Sequence, residues 1–226
     1  MRKPIRGIED NRILTSGQIH LLMEFRRSHL KEAFRLTGGT ALSAFYLEHR
    51  VSEDLDFFSS ERVPFYICED FLKMLPDVSE ISWTRQFDRN IFNLGLADET
   101  RLKVEFTYFP LKNIEDTCLA DGLPIDGFLD LVVNKLCAIA DRIDPKDYVD
   151  LYWALKKSTL LLEHLFTLAE KKCEIKGITH ILKNRLLQVP DGASGLSLMT
   201  KIEESEMQIL FDRLIKGIVE KEIRRS

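Results

Sequence analysis

Apolar residues recur along this chain at two different periods, and the change of period divides it. Between residues 80 and 109 the pattern alternates. Ile81 to Phe87, Ile91 to Leu96 and Leu102 to Phe109 read as three successive strands. In the third, Leu102, Val104, Phe106 and Tyr108 share one face, while Lys103, Glu105 and Thr107 share the other. Asp88-Arg89-Asn90 and Asp98-Glu99-Thr100 supply turns between the strands, and Pro110 ends the third. Ahead of this region the spacing is helical. Thr15 with Gln18 forms a capping-box pattern that opens an amphipathic helix over residues 15–33, through Ile19, Leu22, Met23 and Phe25. Residues 34–36 read as a short strand, 41–48 as a helix, 55–58 as a strand and 65–75 as a helix.

After Asp126 the chain becomes strongly helical. Helices are expected over 128–142, 146–156, 159–173, 179–188 and 197–222, with Val189-Pro190-Asp191-Gly192 separating the last two. Residues 1–14 read as a loosely held lead-in. The expected architecture is α+β: a mixed sheet core with flanking helices over 1–125, then a helical region over 126–226.

Composition narrows the class little. Hydrophobic residues make up 45% and charged residues 30% of 226 positions, ordinary values for a soluble globular protein. The net charge of −4 gives no footprint for nonspecific nucleic-acid binding, and leaves room for a local basic surface. The basic N-terminal stretch MRKPIRGIEDNR has no apolar run after it, so neither a signal peptide nor a membrane span is expected. Cys68, Cys118, Cys137 and Cys173 are scattered among apolar neighbours, with no Cys-x-x-Cys. They read as buried free thiols of a reducing cytoplasm rather than as a zinc site.

Candidate chemistry concentrates in LTGGTALSAFYLEHRVSEDLDFFSS, residues 36–60. Asp54 and Asp56 stand two apart on an expected strand, so their carboxylates share a face. Like charges this close repel, and a divalent cation with hard oxygen ligands, such as Mg²⁺, removes the conflict. Gly38 and Gly39 let backbone N–H groups approach an anion, at the mouth of a short helix whose dipole adds attraction for phosphate. Each feature alone also has a plain structural meaning: a solvated acid pair, a tight turn, a helix capped by Thr40.

Gly38-Gly39-Thr40 followed by Asp54-Leu55-Asp56 resembles the signature of nucleotidyltransferases with the DNA polymerase β-like fold. Gly39 to Leu42, with Arg50 to Phe57, is more particularly similar to the AbiEii/AbiGii toxin family, which includes the MenT toxins. A second block, Asn134-Lys135-Leu136-Cys137-Ala138 to Arg142 and Lys146-Asp147-Tyr148-Val149-Asp150, is similar to that family's Lys…Arg…Lys-Asp-x-x-Asp motif. The resemblance implies a cytoplasmic Mg²⁺-dependent toxin that moves NMP from NTP to an acceptor, the tRNA 3′ end first among those to try, and that has an antitoxin partner. It implies that Gly38, Gly39, Thr40 and Ser52 hold the nucleotide, with Lys135 and Arg142 on its phosphates. Asp54 and Asp56 would hold metal. Glu105 would be the third catalytic and metal-binding carboxylate, or else a glutamate on a solvated strand face. Asp147 and Asp150 would orient Lys135 or Arg142 or join the site, although Lys146 and Asp150 also fit a surface i, i+4 pair. The same chemistry is compatible with a protein acceptor, and the same fold with nucleotide binding without turnover. The basic clusters Lys171-Lys172, Lys183 with Arg185, and Lys221 with Arg224-Arg225 read as solvated helix faces or as a guide for RNA.

Overall fold

The computed structural model describes residues 2–225. Two units are distinguishable, one ending at Phe128 and the other beginning at Leu129.

In the first unit, α1 spans Ser16–Phe25 and opens on the expected capping box. The Gln18 amide N–H donates to the Thr15 hydroxyl, and the Thr15 amide donates to the Gln18 side chain. The helix stops earlier than its apolar pattern suggests. The Ser28 hydroxyl donates to the Phe25 carbonyl and accepts from the Leu30 amide, which draws the chain out of the helix. A single turn, α2 (Leu30–Ala33), follows. Next come β1 (Arg35–Thr37), α3 (Gly38–Leu42) and a π-helical turn (Ser43–Leu47). Glu48 ends that turn at φ 47°. The single helix expected over 41–48 is thus an α turn that starts earlier and widens into a π turn.

The chain continues through β2 (Asp54–Ser59), α4 (Phe65–Lys73), β3 (Val78–Gln86), β4 (Arg89–Leu96), β5 (Arg101–Tyr108), β6 (Cys118–Ala120) and β7 (Leu123–Ile125). Among the described residues these strands form one mixed sheet in the order β3-β4-β5-β2-β1-β7-β6. β2 runs parallel to β5, and β1 runs antiparallel to β2 and parallel to β7. The three strands expected between 80 and 109 are present with the expected facing. The turn between the first two falls at Phe87-Asp88, so Arg89 begins β4 instead of lying in the turn. β6 and β7, three residues each, were not foreseen.

Strand alternation separates a dry face from a polar one. Leu55 and Phe57 of β2 and Val104 and Phe106 of β5 are buried on one side. Phe57 stacks on Phe25 of α1 at 4.3 Å and on Phe106 at 5.2 Å. Arg35 of β1 donates to the buried Asp126, which follows β7, and Asn113 donates to the same oxygen at 3.2 Å. The Tyr46 hydroxyl donates to the Asp126 carbonyl.

The second unit is helical: α5 (Phe128–Asp141, starting on the first unit's last residue), α6 (Pro145–Lys156), α7 (Leu162–Cys173), α8 (Ile178–Leu186) and α9 (Glu204–Arg225). Asp144 caps α6 through the Lys146 amide, with Pro145 at the first helical position. α9 begins at Glu204 rather than near 197, after a 3₁₀ turn at Ala193–Gly195. Lys172 of α7 reaches Asp130 of α5 at 2.6 Å, both side chains being buried. Cys137 of α5 is disulfide-bonded to Cys173 at the end of α7, with Cα atoms 6.7 Å apart. The expectation of four free thiols therefore fails for this pair. It holds for Cys68 and Cys118, which are free and buried, and burial pushes the Cys68 thiol up to about 12. Among the described residues, no helix is long and apolar enough to cross a membrane.

Candidate active site

β2 carries Asp54, Asp56 and Phe58 on its half-exposed face and Leu55, Phe57 and Ser59 inward. Asp54 pairs in register with Lys103 of β5, and Asp56 with Glu105. Directly paired residues of neighbouring strands face the same way, so the three carboxylates lie on one face of a two-strand platform. On its other side, Asp56 pairs with Thr37, the residue before Gly38. Gly38 has φ +72°, and a Cβ there would come within 2.2 Å of the Asp56 Oδ2 atom. The paired-glycine turn is thus packed against the carboxylate.

The loop entering β2 is tied down from several directions. The Gln18 amide side chain donates to the Ser52 carbonyl at 2.8 Å, linking the α1 cap to this loop. The Thr40 hydroxyl donates to the Asp54 carbonyl, and Thr40 is buried. Its expected cap at the start of the helix is not made, since Thr37 occupies the N-cap position without a side-chain bond. At Gly39 a Cβ would meet the Arg50 guanidinium at 2.4 Å and the Ser52 hydroxyl at 3.0 Å. Arg50 and Ser52 are both buried against the turn, and Glu53 between Ser52 and Asp54 is exposed.

Asp54 and Glu105 have cationic partners on neighbouring strands. Lys103 donates to Asp54 at 2.9 Å. Arg89 of β4 engages both Glu105 oxygens at 2.6 Å, and the Thr107 hydroxyl adds a further bond to Oε1. Glu105 is buried, which removes the solvated-face reading. Burial would raise its carboxyl, but Arg89, Thr107 and Lys103 outweigh burial and hold it below the usual range. Arg89 is raised in turn, chiefly by Glu105, with Asp56 contributing. Sequence reasoning missed Arg89 by placing it in a turn. The available signal was the period-two spacing of Phe92 and Leu94, which puts Arg89 and Asn93 together on the opposite face.

Asp54 and Asp56 fit a hard cation in kind, with adjacent oxygen donors on one strand face. Glu105 has both oxygens committed to Arg89. Among the described residues, no group of three His, Cys, Asp or Glu side chains converges as a metal set. A cation at Asp54 and Asp56 would therefore draw further oxygens from substrate or water.

In the second unit, α5 and α6 bring the other motif together. Lys135 donates to Asp147 at 2.8 Å and lies 2.7 Å from Asp150. Arg142 bonds the second Asp147 oxygen at 3.0 Å. Asp147, Asp150 and Lys135 are buried, and Lys146 pairs with Asp144 at 3.4 Å rather than with Asp150. One lysine of each C-terminal basic cluster is paired within the fold. Besides Lys172 with Asp130, Lys183 pairs with Glu222 at 2.6 Å and Lys221 with Glu163 at 3.1 Å.

A mixed sheet with an acid pair on one strand beside a paired-glycine turn is the frame of a nucleotidyltransferase. The sequence profile described as "Nucleotidyl transferase AbiEii toxin, Type IV TA system" matches residues 20–223, and the chain belongs to this family. A protein of Aquifex aeolicus (strain VF5) is 31% identical over 189 residues, 83% of this chain and 88% of that one. Solved structures share the fold, among them the following two. MenT4, a nucleotidyltransferase toxin of Mycobacterium tuberculosis H37Rv, matches with TM-score 0.64 at 14% identity, over 87% of this chain and 79% of its own. JHP933 of Helicobacter pylori matches with TM-score 0.59 at 19% identity, over 91% and 90%.

Proposed function

We propose that this protein transfers a nucleoside monophosphate from an NTP to the 3′ end of tRNA, in the cytoplasm, as the toxin of a toxin–antitoxin pair. The observation that carries the reading is Asp56, packed against Gly38 on one side and paired with Glu105 on the other. In the proposed reaction a terminal ribose hydroxyl attacks the α-phosphorus. A P–O bond forms to the acceptor oxygen while its proton passes to solvent, the bond between the α-phosphorus and the bridging oxygen breaks, and pyrophosphate leaves. Mg²⁺ bound by Asp54 and Asp56 would supply charge neutralisation on the phosphates.

Gly38 and Gly39 bring backbone close to the triphosphate. Arg50 and Ser52, packed on Gly39, hold the turn that receives it. Glu105 stays ionised under Arg89 and keeps the guanidinium on the same sheet face as Asp56. Lys135, Arg142 and Asp150 enter the proposal through their motif, with Asp147 and Asp150 fixing the ammonium of Lys135. Family membership supports transfer chemistry and a cognate antitoxin.

The test is label transfer from each α-³²P NTP to total tRNA with Mg²⁺, comparing the wild type with Asp56→Ala. Labelled tRNA that vanishes in Asp56→Ala is expected. Folded protein that leaves tRNA unlabelled would sink the tRNA reading, and label on protein in the same lysate would move the acceptor to a protein hydroxyl.

A further inference from the structure

The side chains that alternate with the acid-bearing face line a cavity on the sheet's opposite side. It measures about 290 Å³ and lies within the first unit. Arg85, Asn90 and Phe106 form one cross-strand row through β3, β4 and β5. Phe65, Tyr108 and Arg62 also line it. Each of the strand residues is one position from a member of the acid face. Asn90 follows Arg89, and Phe106 separates Glu105 from Thr107, so the two faces share strands but no side chains.

Three observations describe what the cavity accepts. Its walls are flat rings. Phe65 stacks on Phe92 at 5.3 Å and lies 4.5 Å from Trp83, and the Arg62 guanidinium sits over the Tyr108 ring at 4.1 Å. Its charges cancel. Arg62 and Arg85 are matched by Glu61 and Asp88, and Arg62 already bonds Asp88 at 2.7 Å. The lining therefore has no surplus charge to select a phosphate. Finally, the Asn90 Oδ1 atom is buried and has no hydrogen-bond partner among the described residues. A buried acceptor of this kind calls for a donor.

We propose that this cavity binds a nucleobase, either as a free nucleoside or as an unstacked base of single-stranded RNA. The rings stack on the base, and the Asn90 amide reads its edge, offering an acceptor and two donors. Arg62 on Tyr108 closes one side of the stack. Nothing in this binding requires nucleotide transfer, so it stands or falls separately from the reaction proposed above.

Trp83, in contact with Phe65, is a built-in reporter. The chain has two tryptophans, and Trp153→Phe leaves Trp83 as the single emitter. The experiment titrates this full-length variant with adenosine, guanosine, cytidine and uridine, and with a short single-stranded oligoribonucleotide. A saturable change in emission is expected. It should persist in Asp56→Ala and weaken about fivefold or more in Asn90→Ala, the loss of one hydrogen bond. Where Asn90→Ala fails to melt cooperatively, the near-isosteric Asn90→Leu, which also lacks the amide, takes its place, with the same weakening expected. Tighter binding of the oligonucleotide than of any nucleoside assigns the base to RNA, and equal binding assigns it to free nucleosides. No saturable change with any probe overturns the proposal. So does a change that both Asn90 variants leave intact.

Discussion

Gly38 lies so close to Asp56 that any side chain at position 38 would reach the carboxylate, with Cβ 2.2 Å from Oδ2. Two penalties separate here. Alanine at φ +72° costs about 1–2 kcal/mol of stability. Displacing the Asp56 carboxylate should cost transfer activity about 100-fold, since misplacement by an ångström has effects of that size. Asparagine tolerates the left-handed region better but still has a Cβ. Gly38→Asn should therefore lose activity like Gly38→Ala while melting closer to the wild type. Transfer at the wild-type rate in Gly38→Ala would show that the turn does not set the carboxylate.

Glu105 makes an acid-side prediction. Its carboxyl is held low in the folded protein, so its stabilising contribution is complete above the unfolded value, about 4.3, and fades as pH falls through the lower folded value. Glu105→Gln should be less stable than the wild type at neutral pH, and the gap should narrow as the medium is acidified below that point. Urea unfolding at pH 7 and in acid measures both. A gap of constant size would mean that Arg89 contributes packing and not charge pairing.

Lys172 and Asp130 test how the helical unit handles buried charge. Removing one partner leaves the other charge stranded, at a cost of about 3–5 kcal/mol. Lys172→Met and Asp130→Leu should each destabilise by that order, and the double variant should recover most of the loss. Additive losses would contradict a direct pair. A phenotype confined to RNA binding in Lys172→Met would restore the reading of this lysine as an RNA contact.

The Cys137–Cys173 disulfide closes a loop over 36 positions, enough to stabilise the oxidised chain by about 4 kcal/mol in the chain-entropy account. Reductant should lower the melting temperature of the wild type and leave Cys137→Ser/Cys173→Ser unmoved. Identical melts with and without reductant would sink this.

What could be read from the chain follows where local chemistry decides structure. The alternation of Leu102, Val104, Phe106 and Tyr108 gives both the strand and its facing, because burial on a sheet has period two. The Thr15–Gln18 cap is local and equally legible. Phe87 is the opposite case. It sits at φ 53° where Asp and Asn tolerate that conformation better, so a turn reading drifts onto Asp88–Asn90 and takes Arg89 out of its strand. β6 and β7 are too short to show alternation, and β7 has Pro124 at its centre. The contacts of Lys172, Lys183 and Lys221 with acids far along the chain leave no local trace. The acid pair and the glycine turn were visible because their spacing is itself the motif. Arg89 was not, since its role depends on a strand pairing sixteen positions away.

β2 interleaves the chemistry with the core one residue at a time, Asp54 and Asp56 outward, Leu55 and Phe57 inward. A single inserted or deleted residue just upstream would turn the aromatic ring into water and bury both acids against Phe25 and Phe106. This strand can therefore drift in sequence by substitution but not by length. Length changes among relatives should be excluded from it and collect in the loops outside Ser52 to Ser59, the stretch that the Gln18 amide anchors at one end.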